Sequence, residues 1–186
     1  MKVLFLDHDG VICLSTEWGS RQRKRAKARQ SSTPMSELPV ELRFDNFNKK
    51  AVKTLNNILE LTGAELVTSS DWRFHCTLEE MQHFFKLQGV SKSPVSFTES
   101  LQVCLPDVWK KIRNFAQLEL ERALEIKCWL SKHTEVTNWV AVDDLDMSKN
   151  ILGSDGLDNF VHTPLSDEGI KQCSVKDKII NFLTLK

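Results

Sequence analysis

Apolar residues along this chain follow two alternating rhythms. Short unbroken runs give way to stretches in which hydrophobic positions return every third or fourth residue. Runs of four or five bounded by polar residues read as strands buried on both faces, and the three-and-four spacing reads as amphipathic helix. The first run is Val3-Leu4-Phe5-Leu6. Phe47, Ala51, Leu55, Ile58 and Leu59 then predict a helix that Gly63 stops. Ala64 to Thr68 predicts a second strand. Thr77 and Glu80 form a capping-box pair that opens a helix through Met81, Phe84 and Phe85 to Gly89. Val95 to Thr98 reads as a third strand. Residues 107–132 carry a long, broken helical pattern with Val108, Ile112, Phe115, Ala123, Ile126, Trp129 and Leu130. Trp139 to Val142 is a further buried strand, and Asn159 to His162 a last short one. Ser174 is the expected cap of a final helix carrying Val175, Ile179, Phe182 and Leu183. Strands alternating with helices predict an α/β fold with a Rossmann-like, doubly wound parallel sheet.

One stretch breaks the pattern. From Ser15 to Leu42 no apolar period is sustained, so residues 15–45 or so read as a flap or minimal cap inserted into a single domain spanning 1–186. Within it Arg21, Arg23, Lys24, Arg25, Lys27 and Arg29 crowd together with no acid among them. A solvated face, a nuclear-targeting patch and a contact to nucleic-acid phosphates all fit this run. Across the whole chain 25 basic and 25 acidic residues cancel, so no global pull toward nucleic acid or anionic lipid exists. The five cysteines are scattered without a CxxC pair, which argues for a reducing, intracellular and cytoplasmic setting. No segment has the roughly 20 apolar residues of a membrane span.

The chemistry gathers at strand ends. Asp7 and Asp9 follow the first strand directly, and Gly10 permits a bend that turns both carboxylates toward one place. Open parallel sheets bind their ligands just beyond those ends. One acid there can attack or hold a metal while the other moves a proton, which suits phosphoryl transfer. Ser69 closes the second strand, Arg122 lies on the broken helix, and Asp143-Asp144 ends the buried strand.

This order resembles the haloacid-dehalogenase-like (HAD) superfamily. Its first motif, hhhhDxDG, stands here as Leu4-Phe5-Leu6-Asp7-His8-Asp9-Gly10. Its second is matched by Leu66-Val67-Thr68-Ser69, and its fourth by Val140-Ala141-Val142-Asp143-Asp144. Its third, usually Lys, is matched by Arg122, with Lys127 as the alternative. The segments Ser69-Ser70-Asp71-Trp72-Arg73 and Arg122-Ala123-Leu124-Glu125-Ile126-Lys127-Cys128-Trp129-Leu130 are similar to those of a subgroup found in Swiss Army Knife RNA-repair proteins. The resemblance implies that Asp7 is the nucleophile of an aspartyl-phosphate mechanism and Asp9 its acid and base. Ser69 and Arg122 then bind the phosphoryl group. Mg²⁺ is held by Asp7, the Asp9 carbonyl and Asp143, with Asp144 or Asp146 assisting or replacing Asp143. The expected protein is a magnesium-dependent phosphatase. A small cap favours a macromolecular substrate, a nucleic-acid end or a phosphoprotein. A small-metabolite or nucleotide phosphatase and an inactive binding module of the same fold are the alternatives. His8 is expected to point aside, and Trp72, Trp129 and Trp139 to be core.

Overall fold

Alternation along the first strand divides the protein into two layers. In the computed structural model, which describes residues 1–112, 118–148 and 156–185, Leu4 and Leu6 pack into one apolar cluster while Val3 and Phe5 pack into another. Successive side chains of a strand point to opposite faces, so a run of four apolar residues needs cover on both sides. The strands β1 (Lys2–Leu6), β2 (Glu65–Thr68), β3 (Ser96–Phe97), β4 (Asn138–Asp143) and β5 (Phe160–His162) form a five-stranded sheet in the order β3-β2-β1-β4-β5. Every pairing is parallel. The predicted third strand is shorter than Val95 to Thr98, yet both flanking residues still bond to β2, Val95 N–H to Leu66 and Thr98 N–H to Thr68.

The helices are α1 (Ser20–Lys27), α2 (Val40–Arg43), α3 (Lys49–Thr62), α4 (Leu78–Leu87), α5 (Leu101–Cys104), α6 (Pro106–Ile112), α7 (Leu118–Ser131) and α8 (Val175–Thr184). Residues of α3, α4 and α8 fill the Leu4–Leu6 side, and Ala123, Ile126 and Trp129 of α7 fill the other. This is the doubly wound architecture expected from the sequence. Asn48 caps α3 through its side chain, and Gly63 ends that helix in the left-handed conformation. The Thr77–Glu80 capping box is complete. Ser174 does not cap as expected. It precedes α8, but its φ of 63° is left-handed and its hydroxyl makes no capping bond, which requires an extended residue there. Phe115 lies outside the described residues, as does the side chain of Ile112.

The insert is tied into the body. Leu38, Val40 and Phe44 are buried. The basic run splits by helical geometry, because residues three and four apart share a face. Lys24 Nζ donates to the carbonyl of Phe44 and the amide oxygen of Asn46, and Arg25 Nε donates to the carbonyl of Leu42. Arg21 lies 3.8 Å from Asp45. Arg23, Lys27 and Arg29 face solvent. Half of the run therefore fastens the insert, and only the other half forms an exposed basic surface.

Candidate functional site

The chain leaves β1 toward β2 on one side and later returns to β4 on the other. At such a reversal a crevice opens beyond the carboxyl ends of the central strands. Asp7 follows β1 and Asp143 ends β4, with Asp7 N–H bonded to the Val142 carbonyl at 3.1 Å. Between them lies a tight loop in which the His8 carbonyl accepts from Val11, Ile12 and Cys13. Gly10 makes that loop possible twice over. Its φ is 67°, and a Cβ there would sit 2.5 Å from an Asp144 carboxylate oxygen. The loop can thus approach Asp144 only without a side chain at this position.

Carboxylate oxygens of Asp7, Asp143 and Asp144 all lie within 4.8 Å of one another. Asp7 and Asp143 are buried and Asp144 is half-buried. Burial raises the proton affinity of all three. Asp143 adds to the effect on Asp7 and on Asp144, which is pushed up to about 6. Arg122 opposes it. Its Nη1 donates to Asp7 and to Asp143, each at 2.9 Å, and its Nη2 to Asp71 at 3.2 Å. Burial works against the guanidinium charge, but the surrounding carboxylates more than offset it and hold Arg122 protonated. Oxygen donors alone, clustered and negatively charged, suit a hard divalent cation such as Mg²⁺.

Asp9 takes a different direction. Its carboxylate accepts a 2.7 Å hydrogen bond from the Trp72 indole N–H. Burial raises its proton affinity, while the bonds from Trp72 and the Cys13 thiol oppose that rise. Trp72 is held in turn, stacked on Phe44 with centroids 4.6 Å apart and planes within 6°. Among the described residues the acid cluster holds Asp144 and not the Asp9 carboxylate, so Asp144 stands beside Asp7 and Asp143 where a cation could be held. Asp146 instead accepts from the Ser148 N–H, as a turn residue does.

Ser69 sits beside Asp7, since its N–H bonds the Leu6 carbonyl at 3.1 Å. Its hydroxyl is buried and makes no hydrogen bond within the protein. Buried hydroxyls normally find partners, so this one, beside Asp7, is available to donate to a ligand oxygen. His8 turns away from the acids into a cage of Phe47, Trp72 and Phe85. Burial there, with the charges of Arg122 and Arg73, pushes it down to about 3, so it is neutral.

Two contacts beneath the site escaped the sequence reading. Arg73 Nη2 donates to Glu125 at 2.6 Å, both side chains being almost fully buried, and the other Glu125 oxygen accepts from Leu101 N–H. This ion pair joins the segment after β2 to α7, and so fixes Arg122 one turn before Glu125. Trp72 is core, as the sequence predicts, but an indole N–H needs a partner when buried, and that rule is the signal for its bond to Asp9.

Comparison with known proteins agrees with this arrangement. A family model described as the HAD domain in Swiss Army Knife RNA repair proteins matches residues 3–175. No curated protein and no solved structure matches the chain.

Proposed function

Because the chain belongs to the HAD-domain family of Swiss Army Knife RNA-repair proteins, we propose that it is a magnesium-dependent phosphatase that hydrolyses a phosphomonoester through an aspartyl-phosphate on Asp7. The observation that carries this reading is the convergence of Asp7, Asp143, Asp144 and Arg122 at the switch point, with the unpaired Ser69 hydroxyl beside them. Asp7, Asp143 and Asp144 are the residues that would hold Mg²⁺, together with the Asp9 carbonyl. The cation supplies charge neutralisation that lets a carboxylate meet a phosphate dianion.

The rest follows from the chain's own groups. Asp7 attacks phosphorus in line with the departing oxygen. Arg122 already touches Asp7, so its guanidinium lies where charge accumulates on the phosphoryl oxygens. Ser69 donates its free hydroxyl to one of those oxygens. Asp9, with its raised proton affinity, gives a proton to the leaving oxygen and later takes one from the hydrolytic water. Arg122 fills the basic role in preference to Lys127, on the strength of its two contacts to the acids. The exposed Arg23, Lys27 and Arg29 support a phosphate-rich macromolecular substrate.

The test is hydrolysis of an aryl phosphate with Mg²⁺ and after chelation, in the wild type and in Asp7→Asn. The amide is nearly isosteric but a poor nucleophile, so turnover and labelling by beryllofluoride should both vanish. Near-wild-type turnover in that variant would rule out the covalent route.

A further inference from the structure

The leaving group must rest against Asp9 if Asp9 protonates it. A cavity of about 340 Å³ opens there, walled by Asp9, Trp18, Arg21, Gln22, Asp45 and Trp72. We infer that this cavity is the leaving-group subsite of the proposed phosphatase, and that Trp18 is a stacking platform for the terminal base of a phosphorylated oligonucleotide.

Three observations lead to a base. Trp18 is 49% exposed at the cavity, although an indole is the largest apolar group the chain has to bury. Among the described ring contacts none involves Trp18, while Trp72 on the same wall is enclosed by Phe44, Phe47 and Phe84. One indole is thus paired with other rings, and the other stands half-exposed at the opening without a ring partner among the described contacts. Next, the polar wall suits a nucleotide. Asp45 accepts from the Ser20 hydroxyl and the Arg21 N–H, so its charge is engaged within the insert. Gln22 and the part-exposed Arg21, whose Nε stays 3.8 Å from the other Asp45 oxygen, line the opening with donors for sugar and phosphate oxygens. Finally, α1 starts at this cavity and carries the exposed Arg23 and Lys27 along its roughly 12 Å length, with exposed Arg29 two residues past its end. A flat ring platform followed by a basic track matches a base followed by a phosphate backbone. A phosphopeptide offers no run of backbone phosphates for the basic track.

The inference rests on the phosphatase reading but is tested apart from turnover. Single-stranded RNA oligonucleotides carrying a 3′- or 5′-phosphate and a distant fluorophore are titrated into Asp7→Asn protein with Mg²⁺ at one fixed salt concentration. Stacking is worth about 1–3 kcal/mol per base, so adding Trp18→Ala should weaken binding roughly 5- to 150-fold. Trp18→Phe should recover most of the loss, and tryptophan emission should be quenched by the RNA only when Trp18 is present. Equal affinity with Ala overturns the inference, and so does a loss confined to a phosphoserine peptide titrated alongside. Circular dichroism melts of both variants exclude misfolding. If affinity depends on Trp18 while the wild type hydrolyses no phosphate ester, the platform stands and the phosphatase reading falls.

Discussion

Replacing Trp72 with Phe removes one hydrogen bond and keeps an aromatic ring against Phe44. The lost bond is the 2.7 Å contact from the indole to Asp9. Bonds to charged groups contribute about 1.5–3 kcal/mol. Asp9 is only half-buried, so the lower end applies. One pH unit corresponds to about 1.36 kcal/mol, so the ionisation of Asp9 should move by about one unit.

The direction follows from which form the bond favours. An N–H donor stabilises the ionised carboxylate and opposes the upward push of burial. Without it Asp9 holds its proton more tightly and to higher pH. As a general acid it then stays competent further into the alkaline range. As a base in the hydrolytic step it becomes available only at higher pH. Both limbs of the pH–rate profile governed by Asp9 should shift upward together. The assay is kcat/KM and kcat against pH for glycerol phosphate and for an activated aryl phosphate. The activated ester needs little protonation, so its alkaline limb should move less. A slower enzyme with unmoved limbs would reduce Trp72 to packing, and a downward shift would refute the assignment of Asp9.

Further outcomes are expected elsewhere. Asp144→Asn removes one of three mutually repelling acids, so it should raise the melting temperature in chelator and blunt the rise produced by Mg²⁺. His8→Phe should flatten the acid side of the stability curve. Folded His8 titrates near 3 and an unfolded histidine near 6.5, so between them the unfolded chain binds a proton the folded one refuses. Wild-type stability from this source is complete above 6.5 and falls as pH drops toward 3, which urea midpoints at pH 7.5 and 5 will register against the variant. Arg73→Met strands the buried Glu125 carboxylate and should cost about 3–5 kcal/mol in denaturant unfolding. Adding Glu125→Gln should restore part of that, since the amide carries no charge.

The alternation of short apolar runs with helical periods was enough to read the sheet, because strands covered on both faces cannot hide polar residues. The region 107–132 read as a broken helix for a related reason. On α7 the buried face includes Arg122 and Glu125 as well as Ala123, Ile126 and Trp129, so charge interrupts the apolar stripe exactly where the helix meets the site. Motif order predicted the acids, Ser69 and Arg122. It gave no sign of Trp72 against Asp9 or Arg73 against Glu125, which join residues 63 and 52 positions apart. The first depends on how the segment after β2 meets the loop after β1, and the second on how it meets α7. Of the basic run only the charge was legible, since composition does not say that Lys24 and Arg25 bond within the insert while Arg23, Lys27 and Arg29 face solvent.

Charge balance ties these residues into one electrostatic unit. Asp7, Asp143 and Asp144 with Arg122 leave two negative charges uncompensated when all are ionised. That is the charge of one divalent cation. Without a cation, burial favours protonation of all three instead, reinforced at Asp7 and Asp144 by repulsion from Asp143. A protonated Asp7 cannot attack, and an ionised cluster repels a phosphate. Arg122 alone cannot resolve this, because its Nη1 is already shared between Asp7 and Asp143 and its Nη2 faces Asp71. Cation and proton therefore compete for the same oxygens. In the proposed phosphatase Asp7 would be ionised and approachable only when the cation wins, so metal dependence would follow from the packing of β1 against β4.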